Sequence, residues 1–209
     1  MKFENAARRS GALRIAGLDE VGRGPMFGPV VAAAVILAPK CRIEGLTDSK
    51  KLTEKRRNEL DGEIRLNAVA WAIAAVDAAT IDLINIRRAS LLAMRMAVEQ
   101  LALTPDYLLI DGRDTIDWPC SQQAVIQGDA LSLSIAAASV LAKVYRDRML
   151  VDLDREFPGY GLARHKGYCC PEHFEALARL GPTPLHRKSF SPVAQAMLVF
   201  PEFVEAGDF

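Results

Sequence analysis

The sequence predicts an α/β fold: a mixed sheet flanked by helices, with a small helical part at the C-terminal end. Two apolar stretches near the N-terminus are joined by a glycine-rich segment, as in a hairpin. Later apolar stretches alternate with helical patterns, which is typical of α/β folds. Pro158 and Gly159 then end a long helix, and loops rich in Pro, His and Arg follow. We therefore expect a core over residues 1–158 and a helical and loop part over 159–209.

The first predicted elements are two strands and a helix. Strands are expected over 13–19 and 28–37, and the second is almost continuously apolar, as a strand covered on both faces should be. The following helix has Thr53 as its predicted N-cap and carries Leu60 and Ile64 on one face.

The remaining elements alternate between strand and helix. A third strand is expected over 68–77, where larger apolar residues alternate along the chain. A helical pattern covers 85–102, and short strands are expected to end at Asp111 and at Gly128-Asp129. The long stretch 130–156 is then expected to be helical.

Composition excludes several classes of protein. The chain has 209 residues, of which 50% are hydrophobic and 25% charged, with a net charge of zero. These values are typical of a globular protein, and a zero total does not exclude nucleic acid, because phosphates respond to local patches. No signal peptide is visible, and no apolar run reaches the roughly 18 residues of a membrane span. The four cysteines form no C-x-x-C pair, which argues against zinc and disulfides. We expect a cytoplasmic protein.

Three places in the chain share one pattern, in which an apolar strand leads to a carboxylate with a glycine nearby. These places contain four acidic residues: Asp19, Glu20, Asp111 and Asp129. Strand ends in α/β sheets are where sites are built, and an all-oxygen set of ligands suits Mg²⁺ or Mn²⁺. The competing interpretation is that each acid forms a turn or caps a helix, with Asp129 the clearest case.

The glycine-rich segment lacks the sequence pattern of a dinucleotide-binding loop. Gly22, Gly24 and Gly28 do not fit G-x-G-x-x-G, and the segment leads into a strand instead of a helix.

Eight motifs in order resemble the bacterial ribonuclease HII family, the type 2 ribonucleases H. The resemblance covers residues 13–193 and is carried by GLDEVGRGPMFGPVVAAAVIL, GLTDSKKLTEKRR, INIRRASLLAMRMAV, LLIDG, QGD, IAAASVLAKVYRDR, FPGYGLARHKGY and HRKSFSPV. It implies a ribonuclease H-like sheet with helices on both faces. It also implies that Asp19, Glu20, Asp111 and Asp129 are catalytic and hold two Mg²⁺ or Mn²⁺ ions when substrate is bound.

The resemblance further implies the substrates. Members of the family cut the RNA strand of RNA/DNA hybrids and cut 5′ to a single ribonucleotide in duplex DNA, leaving 3′-hydroxyl and 5′-phosphate ends. The peptide groups of Gly22, Arg23 and Gly24 are then expected to read the 2′-hydroxyl. Tyr168 corresponds to the tyrosine that contacts the ribose and packs on the next sugar.

Several basic and hydroxyl side chains are expected to contact phosphates. The resemblance favours Ser49, Lys50 and Lys51, whereas Arg57 is expected at the surface. Helical spacing puts Ser139 and Lys143 on one face, with Arg146 nearby. The basic surroundings of His165 predict a phosphate-facing loop. The alternative for each charged residue is a surface side chain that is exposed to solvent and has no binding role.

Three other functions compete with this interpretation. One is a nuclease or resolvase on the same fold that acts on DNA structure, and another is a hybrid-binding protein without catalysis. The third is a ribonuclease HIII-like enzyme, which the short N-terminal segment disfavours. No obligate protein partner is visible, and the apolar residues of the tail after Val193 are expected to pack as a helix.

Overall fold

A computed structural model describes residues 1–199, and the apolar residues of the tail beyond Val199 lie outside this described part. The chain divides by its contacts into two compact units. The first contains residues 1–21, 31–75 and 90–145, and the second contains residues 22–30, 76–89 and, within the described part, 146–199. The predicted division of roles between 1–158 and 159–209 stays a prediction.

The first unit is built on a five-stranded mixed sheet, which confirms the predicted fold class. The strands are β1 (Ile15–Val21), β2 (Val30–Leu37), β3 (Ala68–Val76), β4 (Tyr107–Asp111) and β5 (Ser121–Val125). Their order across the sheet is β3-β2-β1-β4-β5. β1 pairs with β2 in the antiparallel direction, whereas β1 with β4 and β4 with β5 are parallel.

The helices follow the predicted pattern, with one interruption. They are α1 (Lys2–Arg9), α2 (Glu54–Asn67), α3 (Ala78–Ile84), α4 (Ile86–Glu99), α5 (Gly128–Leu131), α6 (Leu133–Glu156), α7 (Leu162–His165), α8 (Pro171–Leu180) and α9 (Ser191–Met197), with a 3₁₀ helix at Ser49–Lys51. The stretch predicted as helical over 130–156 is helical with one interruption. It is broken at Ser132, whose backbone is extended and whose N–H donates to the Gly128 carbonyl. Thr53 caps α2 as expected, accepting from the Arg56 N–H.

The sheet buries β2 completely, as its apolar sequence predicts. Helices α2 and α6 pack on it through Leu60, Ile64 and the alanine-rich start of α6. On β3 the alternation is present, but the small residues Ala70, Ala72 and Ala74 are the buried ones. The larger Trp71 lies on the more exposed face, under the guanidinium of Arg65.

The second unit has its own apolar clusters. Phe27 packs with Leu150, Tyr160 and Leu162, and Met26 packs with Leu177 and Val193. The glycine-rich segment after β1 therefore shares a core with the C-terminal helices. Among residues 1–199, no helix combines the length and apolarity that crossing a membrane requires.

Candidate active site

Two of the four predicted acids meet at one edge of the sheet. β1 and β4 run parallel with Leu18 opposite Ile110. The next residue on each strand is a carboxylate, Asp19 on β1 and Asp111 on β4. Parallel strands present their carboxyl ends at the same edge, so this register places the two acids side by side.

Asp19 is the most deeply placed of these acids. Its side chain is buried, and its Oδ1 accepts a 2.7 Å hydrogen bond from the Glu20 N–H. Burial, followed by the negative charges of Glu20 and Asp111, holds the pKa of Asp19 well above its usual range. Hydrogen bonds from Ser139 and Glu20 oppose that shift only in part. A cation beside these oxygens would relieve the repulsion.

A glycine joins the third acid to the fourth. The Gly128 N–H donates to Asp111 Oδ1 at 2.7 Å. A Cβ at position 128 would lie 2.6 Å from Ile135 Cδ1 and 3.2 Å from Asp111 Oδ1, so a larger residue would require the Ile135 side chain to shift. Asp129 follows directly and is buried. Burial, then the charges of Asp48 and Asp111, raise the pKa of Asp129.

Asp48 was missed by the sequence interpretation. Its side chain hydrogen-bonds that of Asp129 and also accepts from the Lys50 N–H at 2.9 Å, capping the 3₁₀ helix. The DSKK motif contained this residue, but its position in a loop gave no sign that it meets Asp129.

The donor chemistry of this acidic group suits a hard divalent cation. Every candidate ligand is a carboxylate, the ligand type that Mg²⁺ and Mn²⁺ prefer. Within residues 1–199, no three Asp, Glu, His or Cys side chains have the spacing of a metal site made of protein ligands alone. Mg²⁺ is commonly bound through one or two carboxylates, with water and substrate phosphate completing its shell. The residues therefore fit by donor type.

Lys50 supplies positive charge to this group. Burial disfavours its charged form, but the fields of Asp129, Asp19, Asp48 and Asp111 dominate and raise the pKa of Lys50. Its phosphate contact stays a prediction, as do those of the exposed Lys51 and the half-buried Lys143.

The phosphate contacts predicted for Ser49 and Ser139 disagree with the structure. Both side chains are buried, and their hydroxyls lie 2.8 Å apart. Ser139 also hydrogen-bonds Asp19, so the two serines form a chain that supports a carboxylate. Arg57, predicted at the surface, is half-buried and donates to the carbonyls of Ser49 and Leu52.

The second unit contains the glycine-rich segment, and Arg146 lies directly against Gly22. Gly22 has φ +90°, and a Cβ there would lie 2.3 Å from Arg146 Nε. The Arg146 side chain is fully buried and donates to the carbonyls of Phe27, Pro29 and Lys166. The predicted phosphate contact of Arg146 is therefore wrong, because its guanidinium binds backbone carbonyls that no strand partner satisfies.

Arg187 holds the same segment, and the sequence interpretation gave it no role. It is fully buried and donates to the carbonyls of Gly22 at 2.6 Å, Arg23 at 3.0 Å and Gly28 at 2.9 Å. Burial, then the charge of Arg146, lowers the pKa of Arg187 to about 9. Burial also lowers the pKa of Arg146 to about 10.

These hydrogen bonds fix the direction of two peptide N–H groups. A trans peptide is planar, with its C=O and N–H on opposite sides, and no cis bond occurs within residues 1–199. Because the Gly22 and Arg23 carbonyls point to Arg187, the N–H groups of Arg23 and Gly24 point away from it. Successive N–H groups that face one way form a binding site for an oxygen atom.

Tyr168 lies beside this segment. Its side chain is 43% exposed, and a Cβ built on Gly24 would lie 3.6 Å from Tyr168 Cε1. The Met26 N–H donates to the Gly167 carbonyl, which ties the two stretches together. Three of the predicted sugar-reading residues, Arg23, Gly24 and Tyr168, are thus exposed on the same unit.

The ring nitrogens of His165 form hydrogen bonds within its own loop, and its phosphate contact stays a prediction. Its Nδ1 accepts from the Gly167 N–H, so its Nε2 donates to the Tyr160 carbonyl at 2.7 Å. Its ring stacks on His173 at 4.4 Å between centroids. Both ring nitrogens serve the internal structure of the loop before Tyr168.

Two more histidines continue this arrangement. His186 Nδ1 accepts from the Thr183 N–H, so its Nε2 donates to His173 Nε2 at 3.3 Å. His173 Nδ1 then donates to the Tyr168 carbonyl at 3.0 Å. Burial, the main cause in each case, lowers the pKa of His173 to about 4 and that of His186 to about 3.

Known proteins match this chain over most of its length. The sequence profile described as Ribonuclease HII matches residues 16–193. The Ribonuclease HII of Koribacter versatilis is 55% identical over 195 residues, 93% of this chain and 76% of that protein. The Ribonuclease HII of Geobacter metallireducens is 52% identical over 193 residues, 92% of this chain and 91% of that protein.

Solved structures agree. The ribonuclease HII of Archaeoglobus fulgidus, solved in complex with PCNA, superposes with a TM-score of 0.74 at 28% identity, covering 86% of this chain and 96% of that one. The ribonuclease H2 of Pyrococcus horikoshii gives a TM-score of 0.77 at 24% identity, covering 91% and 100%, and shares the fold. By its sequence and its mixed sheet, the chain belongs to the ribonuclease HII family of endoribonucleases, which act on RNA/DNA hybrids.

Proposed function

We propose that this enzyme cleaves the phosphodiester 5′ to a ribonucleotide, both in RNA/DNA hybrids and at a single ribonucleotide in duplex DNA. The products carry 3′-hydroxyl and 5′-phosphate ends. The observation that carries the proposal is the orientation of the Arg23 and Gly24 N–H groups, set by Arg187. They form a donor pair suited to a 2′-hydroxyl, the group that distinguishes RNA from DNA.

The carboxylates supply the chemistry. Asp19, Glu20, Asp111 and Asp129 would hold two Mg²⁺ or Mn²⁺ ions together with substrate. Such ions activate a water molecule and stabilise charge on the phosphate and the leaving oxygen. Asp19 is oriented by Ser139 and by the Glu20 N–H, and Asp111 by the Gly128 N–H. These hydrogen bonds keep the oxygens in place before substrate arrives.

The sugar is read by the segment that follows Glu20 along the chain. Along the chain, only Val21 separates Glu20 from Gly22. Gly24, with no Cβ, permits close approach of a sugar. Tyr168 offers an exposed ring for packing on the neighbouring sugar. Lys50, Lys51 and Lys143 are proposed to contact the backbone phosphates.

Cleavage of three matched duplexes tests the proposal. The duplexes share one sequence and contain a single ribonucleotide, a full RNA strand or DNA alone. We expect cleavage of the first two in Mg²⁺ or Mn²⁺, no cleavage of the third, and no activity in EDTA. End analysis of the product should show a 5′-phosphate on the ribonucleotide side. Equal cleavage of the all-DNA duplex would identify a structure-specific DNA nuclease instead.

Asp111→Asn is the matched control for the metal assignment. The asparagine oxygen still accepts from the Gly128 N–H, so the turn to α5 is kept while one negative charge is lost. We expect the parental melting temperature and loss of cleavage on both ribonucleotide-containing duplexes. Parental turnover by this variant in Mg²⁺ would remove Asp111 from the proposed site.

A further inference from the structure

Glu4, on helix α1, is a buried carboxylate that the proposed chemistry does not use. Its Oε1 accepts three hydrogen bonds: from Ser132 Oγ at 2.7 Å, Ser134 N at 2.9 Å and Ser134 Oγ at 2.8 Å. Burial pushes its pKa upward, but the hydrogen bonds from Ser134 and Ser132 outweigh burial and lower the pKa of Glu4. Three hydrogen-bond donors offset the cost of burying this carboxylate, which would be large if the charge were unpaired.

The two serines lie where α5 ends and α6 begins. Ser132 is the extended residue at the break, and its N–H closes α5 on the Gly128 carbonyl. Ser134 lies in the first turn of α6, and the Ser134 N–H, which has no partner within that turn, donates to Glu4. α5 consists of Gly128–Leu131, so the break fixes the end of the short helix that carries Asp129.

A second observation fixes the other side of the break. A Cβ built on Gly17 of β1 would lie 2.1 Å from the Ser134 carbonyl carbon and 2.4 Å from Ile135 N. The backbone of α6 therefore touches β1 directly, two residues before Asp19. The break is held between the β1 backbone and the Glu4 carboxylate, and a shift of either would move α5 against β4.

We propose that Glu4 is a positioning residue for Asp129, acting through Ser132 and Ser134. The inference rests on the proposed catalytic role of Asp129. By holding the break between α5 and α6, Glu4 keeps the Asp129 carboxylate in place near Asp111, where these carboxylates would hold a divalent ion. Glu4 thereby supports the proposed site from a helix that precedes the matched family region.

Packing of α1 is the structural alternative, and the chain offers a control for it. Ala7 is buried in a cluster with Ile15, Leu109, Val125 and Ile135. Ala7→Gly weakens this packing and the helix itself without touching the Glu4 carboxylate. Glu4→Ala removes the acceptor of all three hydrogen bonds, whereas Glu4→Gln keeps one acceptor oxygen and loses the charge.

The experiment compares the full-length parent with Glu4→Ala, Glu4→Gln, Ala7→Gly and Asp129→Asn. It measures the melting temperature, Mn²⁺ affinity by calorimetry without substrate, and kcat and KM on an RNA/DNA hybrid. We expect Glu4→Ala to lose roughly tenfold in Mn²⁺ affinity and in kcat, the loss typical of a residue that orients metal ligands. KM should stay within about twofold, since phosphates dominate substrate affinity. Glu4→Gln should lie between, and Ala7→Gly should lower only the melting temperature.

Two results would overturn the inference. One is a folded Glu4→Ala protein with parental kcat and Mn²⁺ affinity. The other is a loss of kcat in Ala7→Gly equal to that in Glu4→Ala, which would mean that Glu4 contributes only to the stability of the fold. Should Glu4→Ala be unfolded at the assay temperature, Glu4→Gln decides in the same way. An active Asp129→Asn removes the proposed role of Asp129 and this inference with it, whereas an inactive one beside an unaffected Glu4→Ala rejects the inference alone.

Discussion

Arg187 Nη2 donates to the carbonyl of Gly22 at 2.6 Å from a fully buried position. The same guanidinium reaches the Arg23 and Gly28 carbonyls. We expect Arg187→Lys to lower kcat/KM about tenfold or more on a duplex with one ribonucleotide, because an ammonium group cannot span three carbonyls. Arg179→Lys is the control, since exposed Arg179 donates to the Gly159 carbonyl. Equal cleavage by both variants, with parental melting temperatures, would show that Arg187 does not orient the peptide groups of Gly22, Arg23 and Gly24 for substrate.

Gly24→Ala and Gly22→Ala separate substrate approach from folding. At Gly24 a Cβ meets only Tyr168 Cε1, at an ordinary 3.6 Å, so the variant should melt like the parent. Its methyl group should still obstruct the sugar and reduce cleavage. At Gly22 the Cβ collides with Arg146, and φ is +90°, so Gly22→Ala should lower the melting temperature. Calorimetric melts beside kcat/KM check both, and parental activity of a folded Gly24→Ala enzyme would contradict close approach at that residue.

Tyr168 is expected to matter most where one ribose stands alone. Tyr168→Phe keeps the ring and loses one hydrogen bond, a loss of about 0.5–1.5 kcal/mol, or roughly two- to tenfold in kcat/KM. Tyr168→Ala loses the ring as well. Both defects should be larger on the single-ribonucleotide duplex than on the hybrid, where many registers are available. Equal losses on both substrates that follow the melting temperature would make Tyr168 a packing residue.

The histidine pair predicts a loss of stability in mild acid. His173 and His186 have folded pKa values of about 4 and about 3, against about 6.5 when unfolded. Between pH 6.5 and 4 the unfolded chain therefore binds more protons, so the free energy of unfolding falls as pH decreases. Each histidine contributes up to about 1.4 kcal/mol per pH unit.

Urea unfolding at pH 7, 6 and 5 measures this slope. Raised carboxylate pKa values at Asp19 and Asp129 act in the opposite direction, so the parent must be compared with a variant. His186→Asn keeps an acceptor near the Thr183 N–H and cannot titrate in this range. The free energy of unfolding of this variant should fall less steeply with decreasing pH than that of the parent, by the contribution of one histidine. Identical slopes would mean that the pKa of His186 is the same in the folded and unfolded protein.

The acidic group was predictable because strand ends carry local signals. An apolar run followed by a carboxylate and a glycine marks the end of a strand, and parallel pairing brings such ends together. Asp19 and Asp111 illustrate this, since the Leu18–Ile110 register follows from the fold class. The sheet itself was predictable for the same reason, through the period of its apolar residues.

Buried charges with distant partners were not predictable. Arg146 follows Lys143 by three residues on α6, which predicts a shared face, yet it turns to the carbonyls of a loop more than a hundred residues earlier. Arg187 and Glu4 likewise bind backbone and hydroxyl groups that no periodicity reveals. Such partners depend on which polar groups the tertiary structure leaves without hydrogen bonds.

The hydrogen bonds from two buried guanidinium groups to the glycine-rich segment bear on the rejection of DNA as well as on the binding of a ribonucleotide. A loop held through its carbonyls at Gly22, Arg23, Phe27, Gly28 and Pro29 cannot rotate its peptides to find other acceptors. A deoxyribose in the place of ribose would cover the Arg23 and Gly24 N–H groups with carbon and hydrogen. N–H groups that lose their water and gain no acceptor carry a desolvation cost, which makes binding less favourable. A flexible loop could lower this cost by turning its N–H groups to other acceptors. Under the proposed function, the rigidity of this segment would therefore disfavour cleavage where the 2′-oxygen is absent.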